Sequence, residues 1–225
     1  MTDKAHELTD KKLEEIEKKL TAIYREAQGD IQKKSDEYFS IFEEADEEKR
    51  ILVSKGKLSE EEYKQWRKDK MMYGKRYASM KDDISQRLLN VNQIATAYIN
   101  GELPEVYALN YNALAEKVDG VGGYSFTLRD ADTVRELALS DKSFLPSRKI
   151  LAEKDIPWNK KNINSQVLQG IIQGESVPKI ASRIMNVQET NRESAIRSAR
   201  TIVTGAENKG RQDSYERATD DGIIL

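Results

Sequence analysis

The chain has 225 residues, no cysteine and one histidine, and 37 basic side chains against 39 acidic ones leave a net charge of −2. That balance excludes a globally basic nucleic-acid binder, and the missing cysteine removes disulfides, thiolate catalysis and cysteine-held metals together. With 38% hydrophobic and 34% charged residues the core is thin for the length, which favours elongated helices over a large globule. No run of eighteen apolar residues occurs and "MTDKAHELTDKK" has no apolar signal region, so the expectation is a soluble chain made in the cytoplasm, with no membrane partner.

From Thr9 onward Leu13, Ile16, Leu20, Ile23, Ala27 and Ile31 recur at steps of three or four, and Tyr38, Phe42 and Ala45 continue the stripe. That period predicts one long amphipathic helix. Glu14 with Lys18, Glu15 with Lys19, Asp30 with Lys34 and Asp46 with Arg50 each set an acid four residues before a base, the stabilising order on an exposed face. The acidic run from Glu43 to Arg50 reads as solvated helix surface. Gly56 ends this helix, and Ser59 with Glu62 predicts a capping box for the next, with Leu58 and Tyr63 as its staple. The second helix carries Tyr63, Trp66, Tyr73, Tyr77, Met80, Ile84, Leu88, Val91, Ala95 and Tyr98 on its buried stripe. Two such helices with a short link predict an antiparallel hairpin over residues 1–100.

Within the second helix "KQWRKDKMMYGKRY" mixes bases with aromatics, and residues 61–100 hold eight bases against five acids. Lys64, Arg67, Lys68, Lys70, Lys75 and Arg76 are the candidate contacts for DNA or another partner, on the pattern of single-strand binders. The plainer reading is a core stripe flanked by solvated bases, because the aromatics fall on the helical period.

Residues 101–157 read as an irregular middle region, with Gly101 and Pro104 as breakers and a short helix after them. Gly120, Gly122 and Gly123 lack the strand and the Gly-Lys-Ser/Thr spacing of a phosphate loop, so they predict a turn before the extended piece "YSFTL", a candidate short strand. Asp130 or Asp132 caps a short helix through Leu139, and "DKSFLPSRKILAEKDIPW" follows as mostly irregular chain. Over 158–225 the helical period returns with Ile163, Val167, Leu168, Ile171 and Ile172. Ser176 caps a short helix with Pro178 in its first turn, and a last helix runs from about Glu189 to Asp220, where "DDG" stops it. The fold class expected is mainly α: a long antiparallel helical hairpin, an irregular middle and a smaller C-terminal helical bundle.

"ARTIVTGAENKGRQDSYERA", residues 199–218, sets arginines among small residues, and each interior glycine costs about 1 kcal/mol against alanine. Ala199, Ala206 and Gly210 step along one face at seven and four residues, where a neighbouring helix can pack closely. A structural salt bridge is the plainer reading of Arg200, Arg211 and Arg217. His6 stands alone, which all but excludes a Ser-His-Asp or Cys-His centre, and no Glu-x-x-His pattern offers a metal site. The carboxylates fall on outer helix faces, so no catalytic residue, metal or cofactor is expected and the chain does not read as an enzyme.

"LQGIIQGESVPKIASRIM" followed by "AIRSARTIVTGAENKGRQDSYERATDDGI" resembles the phage minor head proteins of the MuF type, also called head-morphogenesis proteins. The likeness rests on Ile172, Gly174, Ser176, Ile180, Ala181 and Ile184 in a short helix-turn-helix. It continues through Ala199, Arg200 and Thr201, then Gly205, Ala206, Gly210, Arg211 and Tyr215 in the helix after it. "INGELPEVYALNYN" at 99–112 looks like a further shared segment, so the resemblance spans most of the chain after about residue 60. The two N-terminal helices agree only in type. Ile202 stands where many members have glutamate, so no acid role carries over. The family also continues past this last helix into a segment with Asp-x-Arg-Thr-Arg, whereas this chain ends at Leu225.

The resemblance implies a minor capsid component of the procapsid, associated with the portal vertex and acting in head assembly and in DNA packaging or ejection. Its location would be the virion, with the host cytoplasm as the place of assembly. Its expected partners are the portal protein, the major capsid or scaffolding protein, DNA, and further copies of itself. Two other readings stand beside it: a DNA-binding protein engaging the genome inside the head, and a carrier region for a C-terminal enzyme or toxin domain. "DDGIIL" ends in three large apolar residues, which predicts that the gene continues beyond Leu225 or that these residues dock on a partner.

Overall fold

A computed structural model describes residues 4–122 and 128–222. The described chain is mainly α, as expected, and no strand occurs among the described residues. Eight α-helices follow in order: α1 Lys4–Phe39, α2 Glu43–Ser54, α3 Glu60–Met71, α4 Lys75–Gly122, α5 Ala131–Ser140, α6 Ala152–Ile172, α7 Val177–Ser182 and α8 Ile184–Asp220. They assemble into two compact units. Unit 1 comprises Met1–Leu20, Ala95–Lys149 and Ser194–Leu225, and unit 2 comprises Thr21–Ile94 and Ile150–Glu193.

The N-terminal helix pair is antiparallel within each unit. In unit 2, Tyr24 Oη donates to Asn92 Oδ1 at 2.6 Å, Asp30 pairs with Arg87, and Lys34 lies 3.4 Å from Asp83, so α4 numbers fall as α1 numbers rise. In unit 1, Lys12 Nζ sits 2.6 Å from both Glu102 and Glu105, and Asn110 donates to Thr9 Oγ1 at 2.8 Å. The buried stripe of α1 is Ile16, Leu20, Tyr24, Ala27, Ile31 and Tyr38, so Tyr24 takes the place expected of Ile23.

Several boundaries differ from the sequence reading, each for a local reason. A 3-10 turn, Ser40–Phe42, divides the first predicted helix into α1 and α2. Gly74, at φ +95, separates α3 from α4 in what reads as one helix, and it leaves Tyr73 exposed. The capping box forms as predicted: Glu62 N–H donates to Ser59 Oγ at 3.2 Å, and Ser59 N–H to Glu62 Oε2 at 3.0 Å. Accepting from Ser59 N–H first, and from the Ser59 hydroxyl at 2.8 Å, holds the Glu62 carboxyl below its ordinary value.

Gly101 and Pro104 do not break α4, which runs through both to Gly122. An interior proline costs about 3 kcal/mol, but Leu103, Val106 and Tyr107 around it are fully buried, at about 1.5–3 kcal/mol each. Burial outweighs the break. The predicted short helix after Asp130 is α5, with the Asp130 side chain accepting from Thr133 N–H at 2.8 Å. The segment expected to be irregular up to Trp158 already begins α6 at Ala152, with Pro157 inside it. Gly120 and Gly122 fall within α4 rather than in a turn. Gly123, residues 124–127 of the candidate strand at 124–128 and the apolar end Ile223–Leu225 lie outside the described residues, while Leu128 is in no strand and is exposed.

Candidate functional site

The stretch 199–218 lies in unit 1 on α8, and its small residues are its buried face. Ala195, Ala199, Val203, Ala206, Ser214 and Ala218 are all at most 1% exposed, and Gly210 is buried among them. The face packs against α4. A Cβ on Gly210 would stand 2.5 Å from the Tyr107 carbonyl oxygen, inside any real contact, and a tight 3.1 Å from Tyr111 N. So the α8 backbone touches the α4 backbone there, and only glycine allows it. A Cβ on Gly205 would meet the Pro146 ring at 3.1 Å, a contact with a side chain rather than with backbone.

The arginines of this stretch are held by acids. Arg200 grips Glu17 with two hydrogen bonds of 2.6 and 3.0 Å, and Arg217 reaches Asp221 at 2.8 Å. Arg211 donates to Asn110 Oδ1 at 3.1 Å, and its Nη2 lies 3.0 Å from Glu207 Oε1. Thr201 bonds back to the Arg197 carbonyl at 3.2 Å, while Tyr215 is exposed on the outer face. Beside Gly210, Tyr107 Oη donates to Asp213 Oδ2 at 2.7 Å and accepts from Arg129 at 2.8 Å. Burial first, then the bond to Asp213, pushes the Tyr107 phenol well above its ordinary value.

His6 joins the same seam, its Nδ1 2.9 Å from Glu207 Oε1 and its Nε2 3.7 Å from Asp10. The bond to Glu207 chiefly, then the charges of Glu207 and Asp10, raise the imidazole above 6.5 against desolvation and, after it, the charge of Arg211. A raised folded value means this contact stabilises fully below pH 6.5 and is lost as pH rises through the folded value. An NMR titration of the single imidazole is expected to give a midpoint above 6.5, and Glu207→Gln is expected to bring it back down. A midpoint at or below 6.5 in the parent chain would contradict this geometry.

The other motif residues lie in unit 2. Gly174, at φ +69, follows α6, and Ser176 stands at the N-cap of α7 in extended conformation without a side-chain cap bond. Ile180 is fully buried, 2.8 Å from where a Gly170 Cβ would stand. Ile172, expected on the α6 stripe, is 59% exposed.

Of the candidate DNA contacts, Lys64, Lys68, Lys70, Lys75 and Arg76 lie at or near the surface of α3 and the start of α4. Arg67 does not. It is fully buried and bidentate on Asp46, with Nε to Oδ1 at 2.7 Å and Nη2 to Oδ2 at 2.9 Å, and it donates to the Glu175 carbonyl at 2.5 Å. Its register explains this, since it lies four residues from both Tyr63 and Met71, which are buried. Burial first, then the bond Tyr63 donates to Asp46 at 2.9 Å, pushes the Tyr63 phenol up.

A polar ring that the sequence reading missed also lies in unit 2. Asn92 donates to Asn191 at 2.7 Å and to Asp155 at 3.0 Å, Asn191 donates to Asn159 at 2.9 Å, and Asn159 to Asp155 at 3.0 Å. Each member is bonded to the next, so the ring fixes helix register and offers no open chemistry. Asparagine on an otherwise apolar stripe, as at Asn92 between Val91 and Ala95, is the signal that points to it. Among the described residues no group of three or more His, Asp or Glu side chains could hold a metal. No protein-family model, curated protein or solved structure matches the chain.

Proposed function

We propose that the chain is a phage minor head protein of the MuF type, a helical structural component at the portal vertex that acts in head assembly and in DNA packaging or ejection. The observation that carries this reading is a contact between the C-terminal motif and the further segment of resemblance at 99–112. Residues 99–112 and 199–218 meet backbone to backbone at Tyr107 and Gly210, and Arg211 donates to Asn110 across the same seam. The arginines of the second segment are held by Glu17, Glu207 and Asp221, which supports a scaffolding role over direct phosphate contact. Mixing the purified chain with its cognate portal protein is expected to give a complex of defined stoichiometry by light scattering. Absence of a complex, together with DNA affinity that falls steeply with salt, would instead favour the genome-binding reading through Lys64, Lys68, Lys70, Lys75 and Arg76.

A further inference from the structure

In unit 1, α4, α5 and the chain after α5 enclose a groove of about 290 Å³. Its floor is apolar, with Leu103, Pro104, Leu145 and Pro146, and Leu139 stands beside it. Its lining includes Lys142, Lys149 and Arg135, the last paired with Asp132 outside the groove, and no acid. Leu139 is 74% exposed, an unusual position for a leucine beside an apolar floor. Two asparagines of α4 hold the chain on either side of α5. Asn112 donates to the Arg129 carbonyl and accepts from its N–H, both at 2.8 Å, and Asn100 does the same for Arg148, both at 2.9 Å. The excursion carrying α5 is therefore pinned at both ends, and the groove exists before anything enters it.

The chain also carries a surface of opposite character. Ile41 is 52% exposed in the 3-10 turn before α2, and Ile51 is 43% exposed near the end of that helix. Between them Glu43, Glu44 and Glu48 are exposed, Glu47 pairs with Arg50 at 3.4 Å, and Glu44, Glu48 and Ile51 stand at helical spacing along one face. Large apolar side chains flanking acids match an apolar floor rimmed by bases. We propose that the α4–α5 groove of one copy receives the Ile41–Ile51 face of a second copy. The contact joins unlike surfaces, so it can propagate into a ring or a chain of copies. Twelve residues line the groove, against about 20–30 a side in a standard stable interface, so each contact is weak alone and depends on high local concentration.

The chain has no cysteine, which makes single-cysteine cross-linking clean. Leu139→Cys and Glu48→Cys, both at exposed positions, are prepared separately as full chains and mixed in a glutathione redox buffer. The expected product is mixed disulfide in clear excess over random pairing. Adding Lys142→Glu to the Leu139→Cys chain is expected to cut its yield roughly fivefold, the worth of about one exposed charge pair, and Glu44→Lys in the other chain restores it. Random proportions, or a yield indifferent to the charge swap, overturn the proposal. So do Leu139→Cys homodisulfides alone, which would make the groove face its own copy.

Discussion

Asp46→Ala is expected to destabilise unit 2 by about 3–5 kcal/mol, a large share of the 5–15 kcal/mol that holds a typical domain together. The carboxylate is 3% exposed and takes both forks of a fully buried guanidinium, so its loss strands a charge with no water to replace it. What remains for Arg67 is one backbone carbonyl, Glu175 O, and the face of Tyr63 at 4.9 Å. Tyr63 also loses its acceptor. The double variant Asp46→Leu/Arg67→Met removes both charges at similar volume and is expected to recover most of the loss, since such pairs stabilise little over a packed apolar replacement. Trp66 stacks on Tyr63 at 6.3 Å, and Trp66 and Trp158 both lie in unit 2, so tryptophan fluorescence during urea unfolding reads this unit. A single variant within about 1 kcal/mol of the parent would mean the pair is solvated.

Arg67 also shows where sequence reasoning stops. Its charge and its basic neighbours place it in a surface strip, while its register places it in the core, and the core position prevails because Asp46 is there to receive it. Nothing in the local sequence announces that partner, which comes from another helix. The long apolar stripes were legible because helical period is local: Ile16, Leu20, Ile31, Ile84 and Leu88 are all fully buried. The Ser59–Glu62 box was legible for the same reason. Pro104 was not, because a proline's local cost is visible while the burial of Leu103 and Tyr107 that offsets it depends on tertiary packing. The same holds for Asn100 and Asn112, whose partners Arg148 and Arg129 lie beyond α4. At the candidate site, the small face of residues 199–218 could be read as a place of close approach. That its neighbour is Tyr107, within the further segment of resemblance at 99–112, required the fold.

Gly205 and Gly210 give opposite expected results for one and the same substitution. In an exposed helix interior, glycine to alanine gains about 1 kcal/mol from backbone entropy and propensity. At Gly205 the new methyl meets only the edge of the Pro146 ring at 3.1 Å, and Pro146 sits in the chain after α5, where a shift of a few tenths of an ångström suffices. Gly205→Ala is therefore expected to be neutral or to stabilise. At Gly210 the methyl meets the carbonyl oxygen of Tyr107 at 2.5 Å, in the middle of α4, with Tyr111 N at 3.1 Å beyond it. No rotamer relieves a backbone clash, so α8 must move off α4 along a face where Ala206 and Ser214 are fully buried. Overpacking of this kind costs about 1–3 kcal/mol, which exceeds the helix gain, and Gly210→Leu lies at or beyond its upper end. Unit 1 contains neither tryptophan, so the readout is amide hydrogen exchange across residues 103–115 of α4. Faster exchange there in Gly210→Ala, beside unchanged exchange in Gly205→Ala, is the expected pair of results. Equal protection in both variants would place the two helices farther apart than the Tyr107 contact allows.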